Sequence, residues 1–548
     1  MSRFRRQVCA AVTVLTGLAL TTALPAPAWA DPLPSTVTAG GMATPQVDGI
    51  VFTVAIVGNT VYAGGRFSKA RPAGVAPGGA GEVDRHNLLA FDLTTGNLLP
   101  WAPDVQGTTY TSANNPGPYC KTVGTNTYDC DTVFRIKKSP DSSKIYVGGD
   151  FDKINGSRWS KVVGFNVSDG SIDTAFKPVV TGRVRGIAVT SDTVYIGGGF
   201  TSVNGAARTR LAALGFDGTV KPWAPPADGG EVFAVAAAPQ QNRVIVGGAF
   251  DKINGVNHAT MGAVDASSGA DAAWDAAKAT TGVVTDIVTD GNGTAYIGSY
   301  DYAGSNPRFE GRAAFDIASG HAKWYDGCYG DTQSLTVSNG VVYSGSHTHD
   351  CSAINAAPDN GPVDYYRLVG ETAAATGTAT TNTNMVKVGD PIPTMLPWFP
   401  NTNGGPDGSP WLNGPWALDS NSQYVVVGGE FSVVNGKAQQ GLTRFAARGV
   451  SGALNNGPQV PFKKPVLTKD AGNPVITWTA TWDAQNSDIT YQVIRVGTAT
   501  PIATVVKTSR PWDTPALSVV DRGATTGTYY VRAVDADGSA IGSPTATI

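Results

Sequence analysis

The chain has 548 residues, a formal net charge of −3, 15% charged residues and a mean hydropathy of −0.08. That length allows more than one domain. Lys and Arg are dispersed without a basic stripe, which excludes a nucleic-acid partner, and no apolar run is long enough to serve as a stable membrane anchor.

Residues 1–30 read as an export signal. Arg3, Arg5 and Arg6 give the charged start, residues 8–24 the apolar stretch, and Ala28-Trp29-Ala30 a small-residue cleavage site before Asp31. The mature chain is expected to be secreted and extracellular. Its Ala-Thr-Ile end carries neither a hydrophobic nor a basic tail, so release is expected rather than anchoring.

From residue 34 to 450 one phrase recurs seven times: VYAGGRF, IYVGGDF, VYIGGGF, VIVGGAF, AYIGSYD, VYSGSHT and VVVGGEF. Its first glycines are Gly64, Gly148, Gly197, Gly247, Gly298, Gly345 and Gly428, separated by 84, 49, 50, 51, 47 and 83 residues. Four steps near 50 and two lengthened by an insertion mark a repeat architecture. An alternating apolar run precedes each phrase, a third run follows it, and a fourth ends in Trp101, Phe176, Trp223, Trp274, Trp324 or Trp398. Asn-Gly follows the phrase at Asn155, Asn204, Asn254 and Asn435, a hairpin-turn signal. Sixteen residues after the second glycine or its serine replacement stand Phe165, Leu214, Val264, Phe315 and Phe445, all apolar. Four antiparallel strands every 50 residues without a helical period predict a seven-bladed β-propeller. The glycines are expected where inner strands crowd; a phosphate cradle would need a following helix and a Lys-Ser/Thr, both missing.

The seventh unit has three clear strands but a poor fourth at 450–459. A propeller must seal its edge, so residues 34–43 are predicted to supply that outer strand. Loop elaborations at 70–85, 105–131, 325–332, 347–364 and 400–414 all fall on one face, which marks that face as functional. The Thr-rich insertion 371–392 is expected on the opposite face. The mature chain keeps Cys120, Cys130, Cys328 and Cys351. Three disulfide pairings are possible, and proximity favours Cys120–Cys130 and Cys328–Cys351.

Candidate ligand-binding residues on that face are Asp48, Arg183, Arg185, Glu231, Asp331, Gln333 and Trp416, at the starts of first strands, together with His347 and His349. Two histidines beside Asp350 could ligate a metal, but no further ligands are identifiable, so no metal and no cofactor are expected. No paired carboxylates at a recognisable spacing and no nucleophile elbow appear, so the catalytic residues are unknown.

Residues 451–464 read as a Pro/Gly/Asn linker. In 465–548, VITWTATW places Ile476, Trp478 and Ala480 on one face, and TYYVRAVDADG turns Tyr529, Val531 and Ala533 inward. This stretch resembles a fibronectin type III domain, with the position of that family's tyrosine-corner residue falling on Gly527, and a β-sandwich is implied. The repeat region resembles the delta-60 family of bacterial secreted β-propellers through its V-Y-x-G-G-x-F-x-x-x-N-G phrase. It is also similar to fungal polarity-marker ectodomains. Both resemblances speak to fold and hardly to activity. A copper radical oxidase, which pairs a seven-bladed propeller with an Ig-like domain, needs a histidine after the propeller, and none follows His349. The reading is an all-β, monomeric, secreted binding protein taking an extracellular glycan or protein ligand, with neither nucleic acid nor membrane as partner. The alternative is a secreted hydrolase or lyase acting on extracellular polysaccharide, with Glu231, Asp331, His347 and His349 as candidates.

Overall fold

Each glycine phrase forms the second strand of an antiparallel sheet. The computed structural model describes residues 32–113, 119–258, 260–274, 282–301, 309–359, 361, 364–383, 385–406, 409 and 411–548; residues 1–30, expected from sequence to be an export signal, lie outside them. The first strands of the seven sheets are Ile50–Val57, Val133–Lys138, Val184–Val189, Val232–Ala238, Val283–Thr289, Thr332–Ser338 and Pro415–Ser420. Consecutive first strands touch, and the seventh returns to the first, closing a ring. The result is a β-propeller.

The glycine requirement is set by the neighbouring sheet. A Cβ on Gly64 would lie 2.5 Å from Val133 Cγ1, and the same contact recurs from Gly148 to Val184, Gly197 to Val232, Gly247 to Val284 and Gly298 to Thr332. It closes from Gly345 to Pro415 and from Gly428 to Val51 at 2.5 Å. The seven glycines share one register, each pairing the equivalent residues of the first and third strands.

The fourth strands are short. In the first four sheets the fourth strand is a single bridge, such as Phe91 with Leu98. The tryptophans that follow fasten one sheet to the next: Trp101, Trp223, Trp274 and Trp324 donate Nε1–H to the carbonyls of Gly170, Asp265, Ile317 and Ala373 at 2.9–3.0 Å. Trp398 does the same to Thr38 at 3.3 Å.

Thr38 belongs to an extended segment, short of a regular strand, that seals the ring. Thr38 N donates to Ala446 O at 2.8 Å and Met42 N to Arg444 O at 2.9 Å, so residues 38–42 run along Leu442–Ala446, the third strand of the seventh sheet. Val37, Ala39 and Met42 are buried there. The fully buried Arg444 guanidinium donates to Ala43 O, Leu93 O and Thr94 O, joining this closing segment to the first sheet.

Both favoured disulfides, Cys120–Cys130 and Cys328–Cys351, are formed. The 371–392 insertion leaves from the face opposite the elaborated loops, where Ala373 N meets Gly340 O. It does not stay there: Thr380 and Thr381 hydroxyls donate to Asn355 and Ser352, beside Cys351. Val386 and Ile392 pack with the Cys328–Cys351 disulfide in one apolar cluster, which corrects the expectation of an insertion confined to the far face.

Residues 466–548 form two antiparallel sheets. One is Val466–Asp470, Asn473–Thr479 and Ala516–Val520; the other is Ala503–Thr508, Asp488–Arg495, Thr528–Val534 and Ala540–Gly542 with a short final strand. Ile476, Trp478, Tyr491, Val493, Tyr529, Val531 and Ala533 share their core. The tyrosine that pins the turn is Tyr529, whose hydroxyl donates to Asp521 Oδ2 at 2.9 Å. Position 527 is glycine because a Cβ there would meet the Tyr529 ring at 3.0 Å. The 451–464 stretch is woven between both parts: Leu454 O accepts from Gly40 N, Asn455 Nδ2 donates to Asp535, and Gln459 N to Trp482 O. The loop end of the two-sheet unit docks on the ring. Phe399 N donates to Ala484 O, Ala39 N to Gln485 Oε1 at 2.7 Å, and Arg448 pairs with Asp537 at 3.1 Å.

A buried ionic cluster joins the fifth and sixth sheets. Arg312 pairs with Asp326 at 2.7 Å and Glu371 at 3.0 Å, all three at most 1% exposed. Two carboxylates share one guanidinium. Burial raises the Asp326 carboxyl to about 7, reinforced by Glu371 and opposed by Arg312.

Three outcomes follow from these contacts. Gly247→Ala places a Cβ 2.3 Å from Val284 Cγ1 and should lower stability by about 1–3 kcal/mol, read as a shift in the denaturation midpoint. Deleting residues 34–43 should lower the melting temperature far more than trimming a loose tail; an unchanged melt would contradict the sealing role. Asp326 binds its proton more tightly folded than unfolded, so its contribution is full below about 4 and is lost as pH rises to about 7. Asp326→Asn should flatten that part of the decline in melting temperature with pH.

Candidate functional site

The ring's axis is lined by a register defect repeated seven times. In each sheet, pairing between the first two strands skips one residue just before the first glycine's partner. The extra residues are Phe52, Phe134, Arg185, Phe233, Thr285, Gln333 and Trp416. A bulge frees its extra residue from the ladder and re-aims its side chain. All seven line one cavity of about 110 Å³. Tyr300 and Arg135 complete its walls, with Tyr119, Trp411 and Asn413 brought over it by the two elaborated inter-sheet loops.

The walls are aromatic and pre-organised. Trp416 meets Trp411 at 4.8 Å, tilted by 54°, and Phe52 edge-on at 5.4 Å, and Tyr119 meets Trp411 at 5.1 Å and Phe134 at 5.3 Å. Buried Glu430, the variable residue in VVVGGEF, accepts from Trp416 Nε1 at 3.2 Å and from Asn413 N at 2.9 Å. One carboxylate therefore fixes the indole and the loop beside it. Arg185 lies 3.8 Å over the Phe233 ring and 4.6 Å over Tyr119, with Nη2 donating to the Tyr119 hydroxyl at 3.1 Å.

The residue after each bulge forms a lower tier. Arg135 reaches across the axis to Asp286 at 3.0 Å and donates to the carbonyls of Arg185 and Phe233. It lies between the upper cavity and a second of about 130 Å³. Asp286 also accepts from Ser334 Oγ and Leu335 N at 2.9 and 3.0 Å. Burial alone would raise its carboxyl, but Arg135, Lys137 and these donors outweigh it and hold the group below the usual range.

Of the residues named from sequence, Arg185, Gln333 and Trp416 line the chamber. Arg183 and Glu231 stand above it, paired at 3.2 Å, with Arg185 Nη1 3.7 Å from the same carboxylate. Asp331 is buried, and its amide donates to His347 Nε2 at 3.4 Å. His347 Nδ1 meets Asn413 Oδ1 at 3.0 Å, and burial lowers its pKa. His349 faces Asp359 at 3.3 Å, and Asp350 caps Ser352 N at 2.9 Å. His347 and His349 face each other at 6.5 Å and both meet the Tyr365 ring, but with Asp350 they form no cluster at metal-ligand proximity among the described residues. Among the described residues, both clusters with metal-ligand proximity, Cys120/Cys130/Asp150 and Asp326/Cys328/Glu371, include disulfide sulfur. Asp48 accepts from Ser68 N and Lys69 N, outside the chamber, beside an open cleft of about 830 Å³.

Sequence reading missed Phe52, Phe134, Phe233, Tyr119, Trp411 and Glu430. The bulge aligns the first three with Arg185, so counting from the repeat rather than along alternation would have found them.

Residues 142–176 match the beta-propeller family described as a domain of unknown function (DUF5122). No curated protein matches the sequence. Among solved structures, the chain is similar to the Cps50 (Swd1) beta-propeller domain of Myceliophteria thermophila, at 8% identity and a TM-score of 0.38, covering 71% of this chain and 96% of that one. It is also similar to a complex of KlAtg21 with the coiled-coil of AgAtg16, at 10% identity and a TM-score of 0.33, covering 70% and 98%.

Proposed function

We propose that the protein is a secreted, monomeric binding protein, a seven-bladed propeller of the delta-60 type carrying a fibronectin type III-like module. It takes an extracellular ligand, a glycan in the first instance, at the axial mouth of its elaborated face. The observation that carries this reading is the convergence of seven equivalent bulge residues on one aromatic, polar-tipped chamber. A small concavity walled by aromatic rings and carrying a few placed polar groups suits one end of a ligand rather than the whole of it. Seven sheets in a closed ring support the blade count. Sheets of three strands and of five, with Tyr529 pinning a turn, support the fibronectin-like reading. The charged sequence start supports export.

The enzyme alternative has less behind it. Glu231, Asp331, His347 and His349 do not line the chamber, and Glu231 is held by two arginines.

Glycan-array and cell-wall pull-down binding should be present in the full chain and fall at least tenfold in Trp416→Ala, measured below the onset of that variant's own melting curve, since the change also removes a donor from buried Glu430. A captured protein with the same Trp416 dependence would shift the ligand class. Absence of binding to any polymer or protein would overturn the role.

A further inference from the structure

The chamber's polar groups are unevenly distributed. Among the described residues its lining holds two guanidinium groups, Arg185 and Arg135, and no carboxylate. Arg135 is committed to Asp286 at 3.0 Å. Arg185 is committed less: its nearest carboxylate, Glu231, lies 3.7 Å away and is held closer, at 3.2 Å, by Arg183. Arg183 and Arg185 thus share the one carboxylate of Glu231, while Glu430 stands behind Trp416 and Asn413 and is taken up by them. Arg185 is fixed in place by its aromatic neighbours and the Tyr119 hydroxyl, so little freedom is lost when it engages an anion.

Gln333 supplies a second, independent observation. It is 8% exposed, it lines the chamber from the sixth sheet, and among the described residues its side-chain amide has no hydrogen-bond partner. The amide opens on the cavity, so its hydrogen bonds go to whatever occupies that space. Arg185 belongs to the third sheet, so the two groups face the cavity from opposite sides of the ring. Between them stand the Trp416 indole and the Phe52 ring. The space, about 110 Å³, holds on the order of four waters, room for a single ring and no more. Arg135 and Asp286 span the axis below it.

We infer that the axial chamber receives the terminal sugar acid of a glycan, resting on the proposed binding role. The carboxylate pairs with Arg185, the sugar ring lies on Trp416 and Phe52, and a ring hydroxyl bonds the Gln333 amide. The floor beneath restricts entry to a chain end. An aromatic acid would satisfy Arg185 and the walls but leave Gln333 without a hydroxyl.

The test uses the full chain and three probes in calorimetric titration: an oligosaccharide ending in glucuronic acid, the same oligosaccharide ending in glucose, and 3-phenylpropionate. The acidic sugar should bind at least tenfold tighter than the neutral one, with phenylpropionate weakest. Arg185→Gln should abolish the difference between the two sugars. Gln333→Leu, which removes no existing bond, should weaken both by about fivefold to tenfold with an unchanged melting curve. It keeps the test decisive if Arg185→Gln disturbs Tyr119. Equal binding of the two sugars overturns the acid assignment and leaves the binding role standing. Tighter binding of phenylpropionate overturns the sugar. Failure of all three probes, or Gln333→Leu binding as wild type, overturns the inference, while the Trp416-dependent capture assay judges the role separately.

Discussion

The structure depends on the contact between each repeat's first glycine and the first strand of the next sheet. Any side chain at Gly64, Gly148 or Gly428 would occupy the space of a β-branched neighbour, Val133, Val184 or Val51. Close-packed interiors do not absorb such intrusions. The spacing between sheets, and hence the radius of the ring, is fixed by an absence. Where the second glycine is replaced, Ser299 returns its hydroxyl to Val283 O at 3.0 Å, so the substitution repairs itself locally.

That same spacing creates the axial chamber. A second glycine Cβ would meet the carbonyl two residues before the bulge, as Gly198 would meet Arg183 O at 2.0 Å. The bulge and the glycine pair are thus one device: the glycines let the first strand bend inward, and the bend aims one side chain at the axis. Below it, backbone amides of one sheet are taken by side chains of the previous one, Ile136 N by Thr53 and Leu418 N by Ser334. The third and fourth sheets have Gly186 and Ala234 at that position and cannot offer an acceptor. On those two sheets Arg135 acts on the other backbone group, donating to the carbonyls of Arg185 and Phe233.

The repeat, the sealing segment and the cysteine pairs were legible because each leaves a mark in one dimension: a period, a missing strand, a short separation. The chamber was not, for a physical reason. An extra residue in the strand breaks the alternation by which inward positions are counted, so Phe52 and Phe134 read as ordinary core. Arg183, Glu231 and Asp331 are two residues too early for the same reason. Tyr119 and Trp411 come from irregular loops with no spacing rule, and Glu430 occupies the variable slot of an otherwise uniform phrase. The path of the 371–392 insertion depended on contacts with Ser352 and Asn355 that nothing local announces.

The closing segment has a kinetic consequence. Thr38 meets Ala446 across 408 residues of sequence, and Ala39 meets Gln485 across 446. Residues 38 and 39 thus find their partners only after the seventh sheet and part of the following unit exist. Pairings so distant in sequence make folding slow. Until they form, the N-terminal segment and the outer edge of the seventh sheet both carry unpaired backbone groups, a state prone to wrong pairing. A chain that emerges N-terminus first must hold its two ends apart for the whole of its synthesis, and one interrupted before residue 446 has an open ring.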